Sequence, residues 1–429
     1  MIAQSSHNLA MPAPIPKPSK AASTPGSLPG STPGPTPGDA TRPDTLLGGL
    51  SPAAFMRRHW QKKPLLIRQA VPGIVPIAPR AQLFELASRE DVESRVILRG
   101  SRGWSMKRGP LQRRALPPVS RRGWTLLVQG LDLHLDAARE LLSWFRFVPD
   151  ARLDDLMVSW ASDGGGVGPH VDSYDVFLLQ VQGRRRWRIG PVADASLEPD
   201  VPLKILSRFV PDQEWLLEPG DMLYLPPGWG HDGVAEGECM TCSIGFRAAG
   251  RDELATEVLQ RVIEAVDPEG EDLLYRDPAQ AATDAPGRVP QRLQAFAADA
   301  VQRLLRDPAA LDCALGELLS EPKPTVWFDA GEPLDAPRAV RLDRRTRMMY
   351  DDRHVFINGD SFRAAGRDAR LMHLLADGRS LALADVAQPR DIGKRQAAAV
   401  RQQVHQPRIA AGGAKIGRAS CRERVLVTV

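Results

Sequence analysis

The chain has 429 residues, room for two or three domains of ~100–200 residues each, and its 43% hydrophobic and 25% charged content is that of ordinary globular protein. Its 56 basic and 52 acidic residues leave a net charge of +4, too balanced to argue for nucleic-acid binding. No apolar run reaches ~18 residues, which excludes a helical membrane span, and four cysteines at this length exclude a disulfide scaffold. The N-terminus lacks a charged head followed by an apolar stretch, so no secretory signal is expected and the cytoplasm is the expected location.

Residues 1–44 are rich in Pro, Gly, Ser and Thr and are expected to be a disordered tail. Ser51-Pro52 pairs an N-cap residue with a proline suited to the first helical position, so a helix is predicted over 53–60. A strand is predicted at 64–68, a helix at 81–88, extended chain at 95–99 and a buried strand at 124–129. Apolar spacing of three and four predicts an amphipathic helix over 137–147. From 152 to 247 short apolar or alternating runs are separated by turn residues, which predicts an all-β barrel or sandwich. Cys239 and Cys242 form a CxxC within an apparent strand, where residues three apart face opposite sides, so two small buried side chains are expected rather than a shared zinc. Helical spacing returns at 253–265 and 292–305. The region 321–390 mixes helix with a hairpin around Asn358-Gly359, in a winged-helix-like order. Residues 416–425 resemble a translated sequencing adapter, so 416–429 are set apart from fold reasoning within an irregular 391–429 tail.

The chemistry concentrates in two segments. In Gly164-Gly-Gly-Val-Gly-Pro-His-Val-Asp172, a strand would bring His170 and Asp172 to one face. The turn–strand–turn of 218–231, with Pro219-Gly-Asp221 and Pro226-Pro-Gly-Trp-Gly-His231, delivers a second histidine. Two imidazoles and a carboxylate make the facial triad of non-haem Fe(II) oxygenases. His134-Leu-Asp136 has the same spacing but opens the helix predicted from 137, so Asp136 is read there as a helix N-terminal residue. In Gly183-Arg-Arg-Arg-Trp187, alternation puts Arg185 on a face with Trp187 and Ile189. A guanidinium inside a barrel needs an anionic partner, and a dicarboxylate co-substrate would supply one. Arg184, Arg186 and Arg188 fall on the opposite, solvent side.

These motifs resemble the JmjC-type, cupin-fold 2-oxoglutarate oxygenases, and most closely the bacterial ribosomal oxygenase group, which hydroxylates an arginine of a large-subunit ribosomal protein. Phe55-Met-Arg-Arg-His-Trp-Gln-Lys-Lys-Pro-Leu-Leu-Ile-Arg68 is similar to that group's opening segment, and 164–190 and 219–247 to its core motifs. The resemblance implies a mainly β core (double-stranded β-helix, or cupin jelly roll) over 45–249. A helical dimerisation region over 250–320 and an α+β winged helix over 321–390 would follow. It implies His170, Asp172 and His231 as Fe(II) ligands and catalytic residues, and Arg185 as the grip on the distal carboxylate of 2-oxoglutarate. Asp163 matches an acidic residue near the substrate arginine, with a solvated loop carboxylate the equal alternative. Thr241 and Ser243 share a strand face and are candidates for contact with 2-oxoglutarate, or structural hydroxyls. The implied reaction uses O₂ to convert 2-oxoglutarate to succinate and CO₂ while hydroxylating the β-carbon of arginine. The implied partners are the ribosomal protein and a second copy of the chain, with no membrane and no direct nucleic-acid binding. The group's usual apolar, Trp-containing closing segment has no counterpart from Gln388 onward. Two alternatives stay open: the same chemistry on His, Asn or methyl-Lys of another protein, and a non-catalytic cupin binding module.

Overall fold

The computed structural model describes residues 42–101, 103–266, 273–328 and 339–382. The expected tail at 391–429 lies outside them, as does nearly all of the tail at 1–44.

Ser51 caps helix α1 (Pro52–Arg58) by accepting from the Ala54 N–H at 3.2 Å, with Pro52 in the first turn. The helix buries Phe55 completely, edge-on to Tyr224 with ring centroids 4.9 Å apart, and such burial is worth about 1.5–3 kcal/mol. The strands that follow are β1 (Leu65–Ile67), β2 (Ser94–Gly100), β3 (Gly103–Arg108), β4 (Trp124–Val128) and β5 (Leu153–Ala161). Then come β6 (His170–Val171), β7 (Asp175–Pro191), β8 (Gln213–Leu217), β9 (Met222–Leu225) and β10 (Trp229–Phe246). Helix α2 (Arg80–Leu86) precedes β2, and α3 (Asp136–Ser143) precedes β5. All ten strands join one antiparallel sheet in the order β1-β9-β7-β10-β5-β4-β2-β3, with β6 added on β10 and β8 on β7. This large antiparallel sheet is the mainly β core expected over 45–249.

The helix expected over 137–147 stops at Ser143. Trp144 caps it, and the chain turns so that Phe145 packs on Phe177 at 4.9 Å. Apolar spacing thus continues past the helix because the turn also faces the core.

β7 and β10 are the long central strands, and both faces are buried over 175–181 of β7 and 239–246 of β10. In β7 Phe177, Leu179 and Val181 enter the large core under the N-terminal helices, while Val176 and Leu178 enter a second cluster with Trp187 and Ile189. The inner set therefore changes from even to odd numbers along one strand. Gly183, at φ +61°, sits at this change, where the β7–β10 register shifts; a Cβ there would lie 2.1 Å from the Glu238 carbonyl. Cys239 and Cys242 are both buried on β10 in separate clusters, as small core side chains.

Beyond the barrel come α4 (Arg251–Glu264), α5 (Gln291–Leu305) and α6 (Pro308–Ser320). The last was not singled out by spacing, though Asp307 caps it and Pro308 starts it. The region expected to be a winged helix contains β11 (Ala339–Arg341), β12 (Met348–Tyr350), β13 (His354–Ile357), β14 (Asp360–Arg363), α7 (Gly366–Gly378) and β15 (Ser380–Ala382). Asn358 and Gly359, at φ +52° and +92°, form the predicted hairpin turn between β13 and β14. Helix α6 packs against β13 at Gly316, where any Cβ would meet the Phe356 ring. No helix among the described residues is long and apolar enough to cross a membrane.

Candidate active site

β6 pairs with β10 so that His170 lies directly across from His231. Asp172 follows one residue after β6, and each of the three side chains offers a ligand atom within 4.8 Å of the others. The Asp172 Oδ2 is 3.9 Å from His170 Nε2 and 3.5 Å from His231 Nε2. Each imidazole is aimed by its other nitrogen: the His170 Nδ1–H donates to the Gly168 carbonyl at 2.9 Å, and the His231 Nδ1–H to the Trp229 carbonyl at 3.1 Å. That leaves both Nε2 lone pairs toward the carboxylate, the orientation in which histidine binds metals. Burial and then the neighbouring His170 push the His231 imidazole down to about 4, so it is neutral near pH 7. Two imidazoles and a carboxylate on one side of a shared space suit a divalent metal such as Fe(II), with positions left open.

The wall beside them is set by register. His231, Gly233 and Ala235 of β10 pair with Ile189, Trp187 and Arg185 of β7, and paired residues point to one face. Gly233 is needed there because a Cβ would sit 2.7 Å from the Trp187 ring. On the outer face, Arg186 pairs with Glu214 and Glu236, and Arg188 with Asp232, while Arg184 is exposed. The expected division of the arginine run between two faces is what the structure has.

Arg185 is 4% exposed. Its Nη1 donates to Ser159 Oγ at 2.9 Å and its guanidinium lies 5.8 Å from the Trp187 ring centre. Its Nε and Nη2 are buried without a partner. Leaving charged N–H groups unsatisfied is costly, so the site calls for an anionic ligand at Arg185. The Trp187 Nε1 is likewise buried and unpartnered.

Thr241 and Ser243 share the inner face of β10 with His231, and the Thr241 Oγ1 donates to Gln180 Oε1 at 2.8 Å. Thr241 is also the ladder partner of Ser159, so Ser159, Thr241 and Gln180 form one polar row across β5, β10 and β7. Ser159 and Gln180 were missed by sequence reasoning. Their signal was a lone polar residue within a buried apolar strand. Asp163 is on the loop before Gly164. Its Oδ1 accepts from the Gly237 N–H at 2.9 Å, and its Oδ2 pairs with the exposed Arg122 at 2.8 Å.

Two family descriptions match: a JmjC domain over residues 140–254 and a ROXA-like winged helix over residues 303–403. The chain carries a JmjC domain followed by a ROXA-like winged helix. This JmjC chain is 40% identical to the ribosomal protein uL16 3-hydroxylase of Escherichia coli K12 over 215 residues, which are 48% of this chain and 56% of that protein. It is 40% identical to a probable ribosomal oxygenase of Haemophilus influenzae over 204 residues, 46% of this chain and 50% of that one. The matches thus span about half the length of each relative. Among solved structures, the ribosomal oxygenase YcfD of Escherichia coli in complex with cobalt and 2-oxoglutarate aligns with a TM-score of 0.65 at 28% identity. The alignment covers 79% of this chain and 92% of that one.

Proposed function

We propose that this chain is an Fe(II)- and 2-oxoglutarate-dependent hydroxylase of an arginine β-carbon in a large-subunit ribosomal protein. The observation that carries the chemistry is the buried Arg185, with two unsatisfied N–H groups, on the face that also carries His231 of the His170–Asp172–His231 cluster. A metal donor set and a cation awaiting an anion, in one β-barrel, fit a keto-diacid bound between them.

In this reading His170 Nε2, His231 Nε2 and the Asp172 carboxylate hold the iron. When bound, the iron supplies O₂ activation coupled to loss of CO₂ from 2-oxoglutarate, with one oxygen atom going to succinate and one to the substrate C–H. Arg185 binds the distal carboxylate through charge-assisted hydrogen bonds. Ser159 holds the Arg185 guanidinium from behind, and the Thr241–Gln180 pair, with Ser243, lines the co-substrate wall. Trp187, Ile189 and Leu178 exclude water. Asp163, already paired with the exposed Arg122, exchanges that partner for the substrate guanidinium.

The cofactors are therefore Fe(II), 2-oxoglutarate and O₂, and the setting is the compartment that holds ribosomes, the cytoplasm. The division into an oxygenase domain (45–249), a helical association region (250–320) and a winged helix (321–390) belongs to the same proposal, with α6 linking the last two. Exposed apolar side chains such as Leu259, Ile263, Val301 and Leu304 on α4 and α5 support a second copy docking there.

The test is to incubate the purified chain with Fe(II), 2-oxoglutarate and large-subunit ribosomal proteins, then measure succinate and intact masses. The expected result is one added oxygen, located by fragmentation on one arginine. Succinate formation with the oxygen on histidine, asparagine or methyl-lysine would move the substrate assignment. No substrate-dependent succinate at all would remove the enzymatic reading.

A further inference from the structure

Between the barrel side of the molecule and the winged helix lies a partly open cavity of about 40 Å³. Its walls come from the turn before α3, the start of β5 and the winged-helix segment 344–349, closed by Arg379. Six cations and three carboxylates line it. The carboxylates are already engaged: Asp150 by a bidentate Arg146, Asp154 by Arg247 and Lys323, and Asp132 by the Leu156 N–H.

Three of the arginines are not matched in this way. Arg347 donates through Nε to the Leu319 carbonyl, and Arg379 through Nη2 to the Asp343 and Thr346 carbonyls. Neither has a carboxylate within ion-pair distance among the described residues. Arg139 reaches Asp132 only at 3.9 Å, and its Nε is buried with no partner. Thr346, 1% exposed on the same wall, also has an unpartnered buried Oγ1. Burial, and next the neighbouring Arg139, pull the Arg379 guanidinium down to about 9, and Asp150 and Asp343 offset this only in part. Arg379 occupies a helix C-cap at φ +57°, where glycine is the usual residue. A side chain kept at a strained backbone position points to a use for that side chain.

We propose that this cavity binds a small inorganic oxyanion of the phosphate or sulfate class, and that the anion ties the winged helix to the oxygenase core. Guanidinium forks suit such oxygens. A volume of about 40 Å³ exceeds the ~10–15 Å³ one water needs, leaving room for a tetrahedral oxyanion. The bound anion would give the unpartnered Arg139 Nε and the Thr346 hydroxyl their missing acceptors. This site is separate from the iron and 2-oxoglutarate residues and does not depend on their assignment.

The test is thermal unfolding of the full chain, titrated with sodium phosphate against gluconate at constant ionic strength. The expected result is a rise in Tm that grows with the logarithm of phosphate concentration once a millimolar Kd is passed, roughly 1–3 °C at about ten times Kd. Arg139→Met and Arg379→Met should each weaken phosphate binding by about tenfold or more, read as the phosphate increment to each variant's own Tm. Thr346→Val keeps every charge and should weaken binding several-fold, which covers the case in which an arginine variant does not fold. Amide exchange over 344–379 should slow with phosphate in the parent chain and not in Arg139→Met. A rise linear in phosphate concentration, as general anion exclusion gives, or one equal in parent and Thr346→Val, would overturn the proposal.

Discussion

Two His-x-Asp triplets occur 36 residues apart in this chain, and they end in unrelated places. His170 is in a two-residue strand whose ladder partner is His231, and Asp172 is held against both imidazoles. His134 closes a 3-10 turn (Leu131–Leu133), and Asp136 opens α3 with its side chain 82% exposed. The spacing is the same, so spacing alone carries little. The strand pairing that brings a third candidate ligand from 61 residues away makes one triplet a candidate site, and the helix start makes the other a first-turn acid. The largest expected effect follows directly. Asp172→Ala should reduce substrate-dependent succinate formation to background and weaken Fe(II) binding, whereas His134→Ala should leave both unchanged. Turnover surviving Asp172→Ala would erase the distinction between the two triplets.

The next effect tests the wall rather than the metal. Arg185→Met removes charge-assisted hydrogen bonds of about 1.5–3 kcal/mol each, so KM for 2-oxoglutarate should rise roughly 10–100-fold with Fe(II) affinity unchanged. Ser159→Ala removes only the partner that orients Arg185, at about 0.5–1.5 kcal/mol, and should raise that KM by roughly 2–10-fold. Steady-state kinetics at saturating iron, together with metal titration, separates the two. Equal losses of metal and co-substrate affinity in Arg185→Met would mean that the arginine supports the ligand set itself.

The contrast also explains what could be read from the residues in order. The placement of His170, Asp172 and His231 together, and of Arg185 on an inner face, was legible because turn chemistry and two-residue alternation fix which way strand side chains point. Ser159 and Gln180 were not, because each is a single polar residue whose meaning comes from its ladder partner, Thr241, and pairings between distant strands leave no local trace. The face change at Gly183 was hidden for the same reason. A bulge needs one glycine, and many glycines are simply turns. The arginines around the inner cavity are the extreme case: Arg139, Arg347 and Arg379 lie on separate elements, and the sequence shows only ordinary charge runs. Helix α3 ended earlier than its pattern because the turn after it uses the same core.

A smaller effect concerns pH. Burial, with Arg89 next, holds the His134 imidazole below its ordinary value of 6.5. In acid the unfolded chain takes up this proton first, so stability falls as pH drops from 6.5 toward the lowered folded value. His231 shares this sign, so the readout is a difference. His134→Gln should lose less Tm than the parent between pH 7 and 5, with equal Tm values at pH 8. A parent and variant with parallel profiles would show that the second triplet contributes nothing to acid sensitivity.

The smallest effect is at Asp136. Its carboxylate starts α3 and lies 3.2 Å from Arg344 Nη1. A first-turn acid is worth about 0.3–1 kcal/mol against the helix dipole, and an exposed ion pair about 0–1 kcal/mol. Arg344 keeps its Nε hydrogen bond to the Leu133 carbonyl without Asp136, so the contact between α3 and the winged-helix segment persists. Asp136→Ala should therefore lower Tm by roughly 1–3 °C and leave kcat and both KM values unchanged. Asp136→Asn, which keeps the shape and removes the charge, should show most of that small loss. A fall in kcat for either variant would mean that the exposed triplet takes part in turnover, and the argument from strand pairing would then have to be replaced.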